Sequence, residues 1–286
     1  MSTMVADAGE LRSGKGHGDE NFPVASFLIQ PKHRPAILAF YRFVRTADDI
    51  ADHVRLGAAE KLALLDRMGA SLAGDEDSDE AARALRVALA ERRLSTRHAE
   101  DLLQAFRTDV TKLRYADWDD LMGYCRYSAM PVGRFVLYVH GESEKLWPAN
   151  DALCAALQVI NHLQDCAKDY RELDRVYLPQ DVLAREGGKI GDLAADAASP
   201  GLRQTIVALA RQTGELLERS KPFARQIRDR RLGAEVAIIQ AVAERLVRLL
   251  LRNDPLRDKV HLAKPQAAMI ALGAAAKHFL TRGRPA

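Results

Sequence analysis

The 286-residue chain is 48% hydrophobic and 28% charged, with a formal net charge of +3. Such a balance can bury a sizeable core, which excludes a disordered chain, and its mildly basic, dispersed charge excludes a dedicated nucleic-acid binder. The longest charge-free runs, near 152–164 and 265–276, reach only about 13 residues, short of the ~20 that cross a bilayer, and no apolar signal core opens the sequence, so a spanning protein is excluded and a cytoplasmic one expected.

Residues 1–19 carry glycines and scattered charges without periodicity and read as a flexible N-terminal segment. The GKGHG within them has neither a preceding strand nor the spacing of a phosphate loop. NFPVASFLIQ at 21–30 is apolar and broken by Pro23, and reads as a short helix or turn packing onto the body; Pro35 suits the first turn of the helix that follows. From there apolar residues recur at helical spacing almost without a break. This predicts helices near 34–54, 59–73, 79–93, 96–114, 118–140, 150–171, 201–220, 222–252 and 265–281. Alternation of β-branched residues is absent, so the expected class is all-α, and without a low-complexity linker residues 20–282 are expected to form one domain.

Ser95 or Thr96 and Asp117 suit helix N-caps, and Gly141 a helix end. Pro131 is expected to kink the 118–140 helix, and with Gly133 to mark a bend that either borders a cavity or only relieves packing. The acidic run DEDSDE at 75–80 reads as a solvated loop. Beyond Leu173 the chain is expected to leave regular structure, pass Pro179 and form a short helix from Gln180. Cys125, Cys154 and Cys166 show neither a CxxC pair nor zinc spacing and read as reduced, structural thiols.

Two stretches carry chemistry. In YRFVRTADDIAD at 41–52, Tyr41, Arg45, Asp48 and Asp52 fall at i, i+4, i+7 and i+11, on one face of a helix. Phe40, Phe43, Val44, Ala47, Ile50 and Ala51 occupy its other sides. A polar stripe on a helix otherwise apolar enough to be buried is expected to line a cavity. Asp49 points about a quarter-turn away and is the weaker ligand candidate. In NHLQDCAKDYR at 161–171, Asn161, Asp165 and Asp169 stand at i, i+4 and i+8, again on one face.

A lone DxxxD on a helix is ordinarily a solvated face. Like charges at this spacing cost a helix roughly 0.2–0.5 kcal/mol per pair, and two such pairs point to cations that offset the repulsion. Carboxylate and amide oxygens are hard ligands suited to Mg²⁺, which keeps waters and takes one or two protein carboxylates beside substrate phosphates. Both faces are therefore expected to hold Mg²⁺ around a diphosphate, with Arg45, Lys168, Arg171 and Arg175 completing the anion site. A di-iron bundle would need Glu-x-x-His pairs, and no histidine has a Glu three residues before it. No GxSxG is present. His162, beside Asn161, reads as a packing or supporting residue rather than a catalyst.

YRFVRTADDIAD together with NHLQDCAKDYRELDRVYLP resembles the paired aspartate-rich motifs of the squalene and phytoene synthases, all-α prenyltransferases that join or process C15 or C20 isoprenoid diphosphates. The likeness covers roughly residues 20–280. Within that family, ENFPVAS ahead of the first motif and KDYRELDRVYLPQDVLAR are most similar to the bacterial hydroxysqualene synthases of the hopanoid pathway, which convert presqualene diphosphate to hydroxysqualene and release diphosphate. The resemblance implies an isoprenoid-synthase-type helical bundle around a central apolar cavity. It also implies that Asp48, Asp52, Asn161, Asp165 and Asp169 bind the Mg²⁺ diphosphate, that Arg45 contacts the diphosphate and that Tyr41 faces the cavity. With Arg45, the candidate substrate-binding residues are Asn21, Phe22, Arg126, Gln164, Lys168, Arg171, Arg175 and Tyr177. Two positions depart from the family pattern: Gln164 stands where many members have Arg, and Arg126 where many have Tyr. Both fit a specialised enzyme better than the complete two-step condensation of two prenyl diphosphates.

The expected activity is thus that of a carbon–oxygen lyase, with Tyr41, Arg45, Asp48, Asp52, Asp165 and Asp169 as its catalytic set. Mg²⁺-assisted loss of diphosphate, cation rearrangement and capture by water give the alcohol. Aromatic faces such as Phe22, Tyr41 or Phe135 suit stabilisation of cationic carbon. Two other readings stay open: head-to-head synthesis of presqualene diphosphate, squalene or phytoene, and a non-catalytic helical partner in an isoprenoid complex, against which the intact aspartates argue. Expected partners are presqualene or another prenyl diphosphate, other hopanoid-pathway enzymes and, because substrate and product are greasy, a membrane surface touched peripherally.

Overall fold

Apolar residues at 36, 40, 43, 47 and 50 recur every three or four positions, and the helix they dictate, α1 (Arg34–Ala51), buries all five. It comes from a computed structural model that describes residues 28–282; Asn21, Phe22 and the 1–19 segment lie outside the described residues. The described chain is helical throughout, its one β-type pairing an isolated bridge between Arg114 and Val176. Contacts divide it into two compact units, residues 1–112 and 113–286.

The first unit holds α1, α2 (Ala58–Ala73), α3 (Glu80–Ala90) and α4 (Arg97–Thr111). Pro35 stands in the first turn of α1, where its missing N–H costs no hydrogen bond. Lys61 closes the other end of that helix by donating from Nζ to the Ala51 carbonyl at 2.9 Å. Helix α1 packs on α3 and α4, and Phe43, Ile50, Leu65, Met68, Leu85 and Leu102 are withdrawn from solvent in this core. The acidic run at 75–80 is the exposed loop expected of it except at Asp79. Asp79 is buried and caps α3, its carboxylate accepting from the Ala82 N–H at 2.7 Å while its own N–H donates to Ser71 Oγ at 3.1 Å. A cap hidden in a charge run satisfies an orphan amide that solvent cannot reach.

The second unit holds α5 (Trp118–Ser128), α6 (Met130–Val139), α7 (Trp147–Leu173), α8 (Gln180–Arg185), α9 (Pro200–Ser220), α10 (Phe223–Gln226), α11 (Arg230–Leu250) and α12 (Lys264–Arg282). Its centre is α7, packed against α5, α6, α9 and α11. The single helix expected over 118–140 is two. The chain breaks at Ala129 (φ −117°, ψ −45°), and Pro131 stands in the first turn of α6. Proline tolerates that position, where a helix interior would lose a bond and gain a clash. At Gly133 a Cβ would lie 2.1 Å from Asn150 Oδ1 and 2.6 Å from Cys154 Sγ, so its bare backbone lets α6 close on α7. Arg134 fastens the same contact through Asp151 and lies 4.5 Å over the Trp147 ring. The helix expected over 222–252 also divides, because Ile227 is extended and Asp229 caps α11 through the Arg231 and Leu232 amides. Among the described residues, no helix is long and apolar enough to cross a membrane.

Candidate active site

In the first unit the polar stripe forms as spaced: Tyr41, Arg45, Asp48 and Asp52 are all half-buried, opposite the apolar face of α1. Asp48 lies in the last turn and Asp52 is the C-cap residue. Arg45 is an internal brace, its Nη1 2.8 Å from Asp48 Oδ2 and its Nη2 3.1 Å from Asp49 Oδ1. Asp49, the weaker candidate by spacing, is the more buried carboxylate and serves as an ion-pair partner.

Carboxylates accumulate here. The Asp48 carboxyl is pushed up from 3.8 to about 7, first by burial and then by Asp52, while Arg45 pulls it down and Asp49 and Asp109 raise it further. Asp109, buried on α4, is a member of this group that spacing on α1 could not reveal. The only signal for it is an acidic residue on the buried side of a neighbouring helix.

In the second unit Asn161, Asp165 and Asp169 share one half-buried face near the C-terminal end of α7. The helix stops at Asp174, which takes the left-handed conformation (φ 51°, ψ 29°). Its turn sends the Arg175 N–H back to the Asp169 carbonyl at 3.1 Å, and Arg114 grips Asp174 through both its carboxylate and its carbonyl. Asparagine and aspartate are the side-chain-bearing residues that tolerate this region best. The last metal candidate is thereby held at a defined helix end.

An aromatic stack stands beside that end. His162 lies face to face with Tyr177, centroids 3.6 Å apart and planes 15° apart, and Tyr177 stacks on Tyr115 at 5.5 Å. Tyr124 closes the group at 5.4 Å from both tyrosines. His162 Nδ1 is 3.9 Å from Asp169 Oδ2, and its Nε2 meets Gln158 Nε2 at 3.0 Å. The order Gln158, His162, Asp169 is i, i+4, i+11, a helical face legible in the sequence; its stacking partners come from beyond α7 and are not.

The remaining candidates separate. Gln164 donates from its amide to the Val260 carbonyl and so ties α7 to the segment before α12. Arg171 donates to the carbonyls of Ala194 and Ala195, at 3.3 and 2.6 Å. Arg175 and Tyr177 are buried, whereas Lys168 and Arg126 are exposed. Phe135, an aromatic candidate for cation stabilisation, is fully buried in the second unit. Burial pushes the Cys125, Cys154 and Cys166 thiols each up to about 12, and all three are free.

The donors fit Mg²⁺. Their oxygens are hard ligands of the kind Mg²⁺ combines with waters and phosphate oxygens, and among the described residues no three His, Cys, Asp or Glu side chains converge on one metal position. The Asp48 carboxyl is raised first by burial, and the neighbouring carboxylates Asp52, Asp49 and Asp109 add to that against the opposing pull of Arg45.

Residues 15–266 match the profile of the family described as squalene/phytoene synthase. A hydroxysqualene synthase from Rhodopseudomonas palustris is 56% identical over 278 residues, 97% of this chain and 95% of its own length. One from Zymomonas mobilis is 54% identical over 272 residues, 94% of this chain and 92% of its own. A solved squalene synthase from Alicyclobacillus acidocaldarius, 30% identical, matches with a TM-score of 0.72 over 86% of this chain and 92% of that one. A solved dehydrosqualene synthase, 23% identical, shares the fold with a TM-score of 0.76 over 96% of each chain.

Proposed function

The chain belongs to the squalene/phytoene synthase family, and from that premise we propose that it acts as a hydroxysqualene synthase, converting presqualene diphosphate and water to hydroxysqualene and diphosphate. The observation that carries the reading is the 56% identity to a hydroxysqualene synthase along 97% of the chain. Residues 20–282 serve as one catalytic domain, and the reaction is a carbon–oxygen lyase step.

Asp48 and Asp52 of α1, and Asn161, Asp165 and Asp169 of α7, are the Mg²⁺ ligands. Bound Mg²⁺ supplies neutralisation of the charge that develops on the bridging oxygen as the carbon–oxygen bond breaks. Arg45 holds the Asp48 carboxylate toward that task through its 2.8 Å ion pair. Tyr41, one turn before Arg45 on the same face, presents its ring to the substrate. His162 and Tyr177 brace the face that bears Asp169. The electron pair of the broken bond leaves with diphosphate, water adds to the rearranged allylic cation, and its surplus proton is lost to give the alcohol.

The test is incubation of the protein with Mg²⁺ and either presqualene diphosphate or farnesyl diphosphate, with product identification. The expected result is an alcohol from presqualene diphosphate without any reductant. Products from farnesyl diphosphate alone would overturn the reading. Asp48→Ala and Asp165→Ala are each expected to cut turnover by about 10²-fold or more while leaving the circular dichroism spectrum unchanged; undiminished turnover in either removes that residue from the ligand set.

A further inference from the structure

Helix α12 carries an apolar face that no other described residue covers. On α12, Met269, Leu272, Ala276 and Leu280 stand at i, i+3, i+7 and i+11, which is one side of a helix. All four are exposed, Met269 by 69%, Leu272 by 72% and Leu280 by 75%. The opposite side is the one used for packing: His278, half a turn from this stripe, is buried where α12 crosses Gly233 of α11. The outward face is therefore a second apolar surface on a helix already docked by its first.

Charge says what that surface meets. From Lys259 to the end of the chain there is no Asp or Glu, against five Lys and Arg. Lys277 is exposed about a quarter-turn to one side of the stripe. On the other side Arg230 of α11, also exposed, lies 5.8 Å over the Phe279 ring. An apolar stripe edged by cations on both sides matches an interface whose interior is hydrocarbon and whose headgroups are anionic. A partner protein would offer acidic side chains one at a time, whereas a lipid surface meets both edges along the whole stripe. The helix is too polar to cross a bilayer, so it lies along the surface.

We propose that the outward face of α12 docks this protein onto anionic membrane surfaces, with Met269, Leu272 and Leu280 entering the acyl boundary and Lys277 and Arg230 meeting headgroups. This goes beyond the catalytic reading and stands whatever the reaction proves to be.

The experiment is co-sedimentation of the full chain with phosphatidylcholine vesicles, with and without phosphatidylglycerol, while sedimentation velocity records its oligomeric state. Binding is expected to phosphatidylglycerol vesicles, to weaken with salt and to be weak on phosphatidylcholine alone. The triple variant Met269→Gln/Leu272→Gln/Leu280→Gln is expected to keep its thermal midpoint and lose partitioning at least about tenfold. Lys277→Gln is expected to lower partitioning to anionic vesicles about fivefold and to leave neutral ones unaffected. Failure of the wild type to bind, equal binding by the triple variant, or a dimer that the triple variant abolishes in the absence of lipid would each overturn the proposal, the last by assigning the face to a second copy of the chain.

Discussion

Asp48 ordinarily ionises near 3.8, and in the folded protein burial, reinforced by Asp52, moves that to about 7. Between those values the native state holds a proton that the unfolded chain has released. The contribution of Asp48 to stability is therefore fully present below about 4 and is lost as pH rises to about 7. Metal-free Asp48→Asn is expected to melt higher than wild type at pH 8 and no higher at pH 4. The gain should be modest, because about a third of the side chain faces solvent. Thermal melts in chelator across that range check it, and an Asn variant less stable than wild type at pH 8 contradicts it. The stripe that produces this behaviour was legible, since four residues at helical spacing need only the period of one helix. Asp109 was not, because its proximity is decided by how α4 packs on α1.

Helix α6 begins at a break that the sequence marks without disclosing its kind. Proline and glycine both mark 131–133 in the sequence, yet whether a proline kinks one helix or starts another depends on the turn before it. Ala129 gives no warning that it will leave helical geometry. The division before α11 was hidden for a related reason: Asp229 lies among arginines, where charge periodicity masks a cap. Gly133→Ala tests the close contact. Alanine gains about 0.5–1 kcal/mol from helix propensity, whereas forcing a Cβ against buried Asn150 costs about 1–3 kcal/mol. The expected net result is a lower urea midpoint with an unchanged slope; a raised midpoint would mean that α6 and α7 separate at little cost.

At the scale of the whole molecule, the all-α class followed from periodicity alone, while the division of contacts at Lys112 left no mark in composition. The stretch KLRYAD at 112–117 has neither the glycine nor the proline of a linker. Each unit carries one aspartate face, and under the proposed ligand assignment a change on either face should weaken diphosphate binding. Inorganic diphosphate with Mg²⁺ is expected to raise the melting temperature by a few degrees at saturating concentrations. Asp48→Asn and Asp165→Asn should each reduce that rise. An equal rise with diphosphate alone, in chelator, would refute the metal-mediated reading.

Both aspartate faces run to the C-terminal ends of their helices: Asp48 and Asp52 close α1, and Asp169 lies about one turn from the end of α7. A helix C-terminus carries roughly half a negative charge, and acidic groups there are disfavoured by about 0.3–1 kcal/mol. Phosphate-binding folds commonly present the opposite pole, where backbone amides meet the anion directly. Under the proposed ligand assignment each helix, taken by itself, turns its repelling pole toward a bare diphosphate. That polarity would impose an order of events: a cation arrives with the diphosphate or before it, and the face reads the charge of the complex rather than that of the anion.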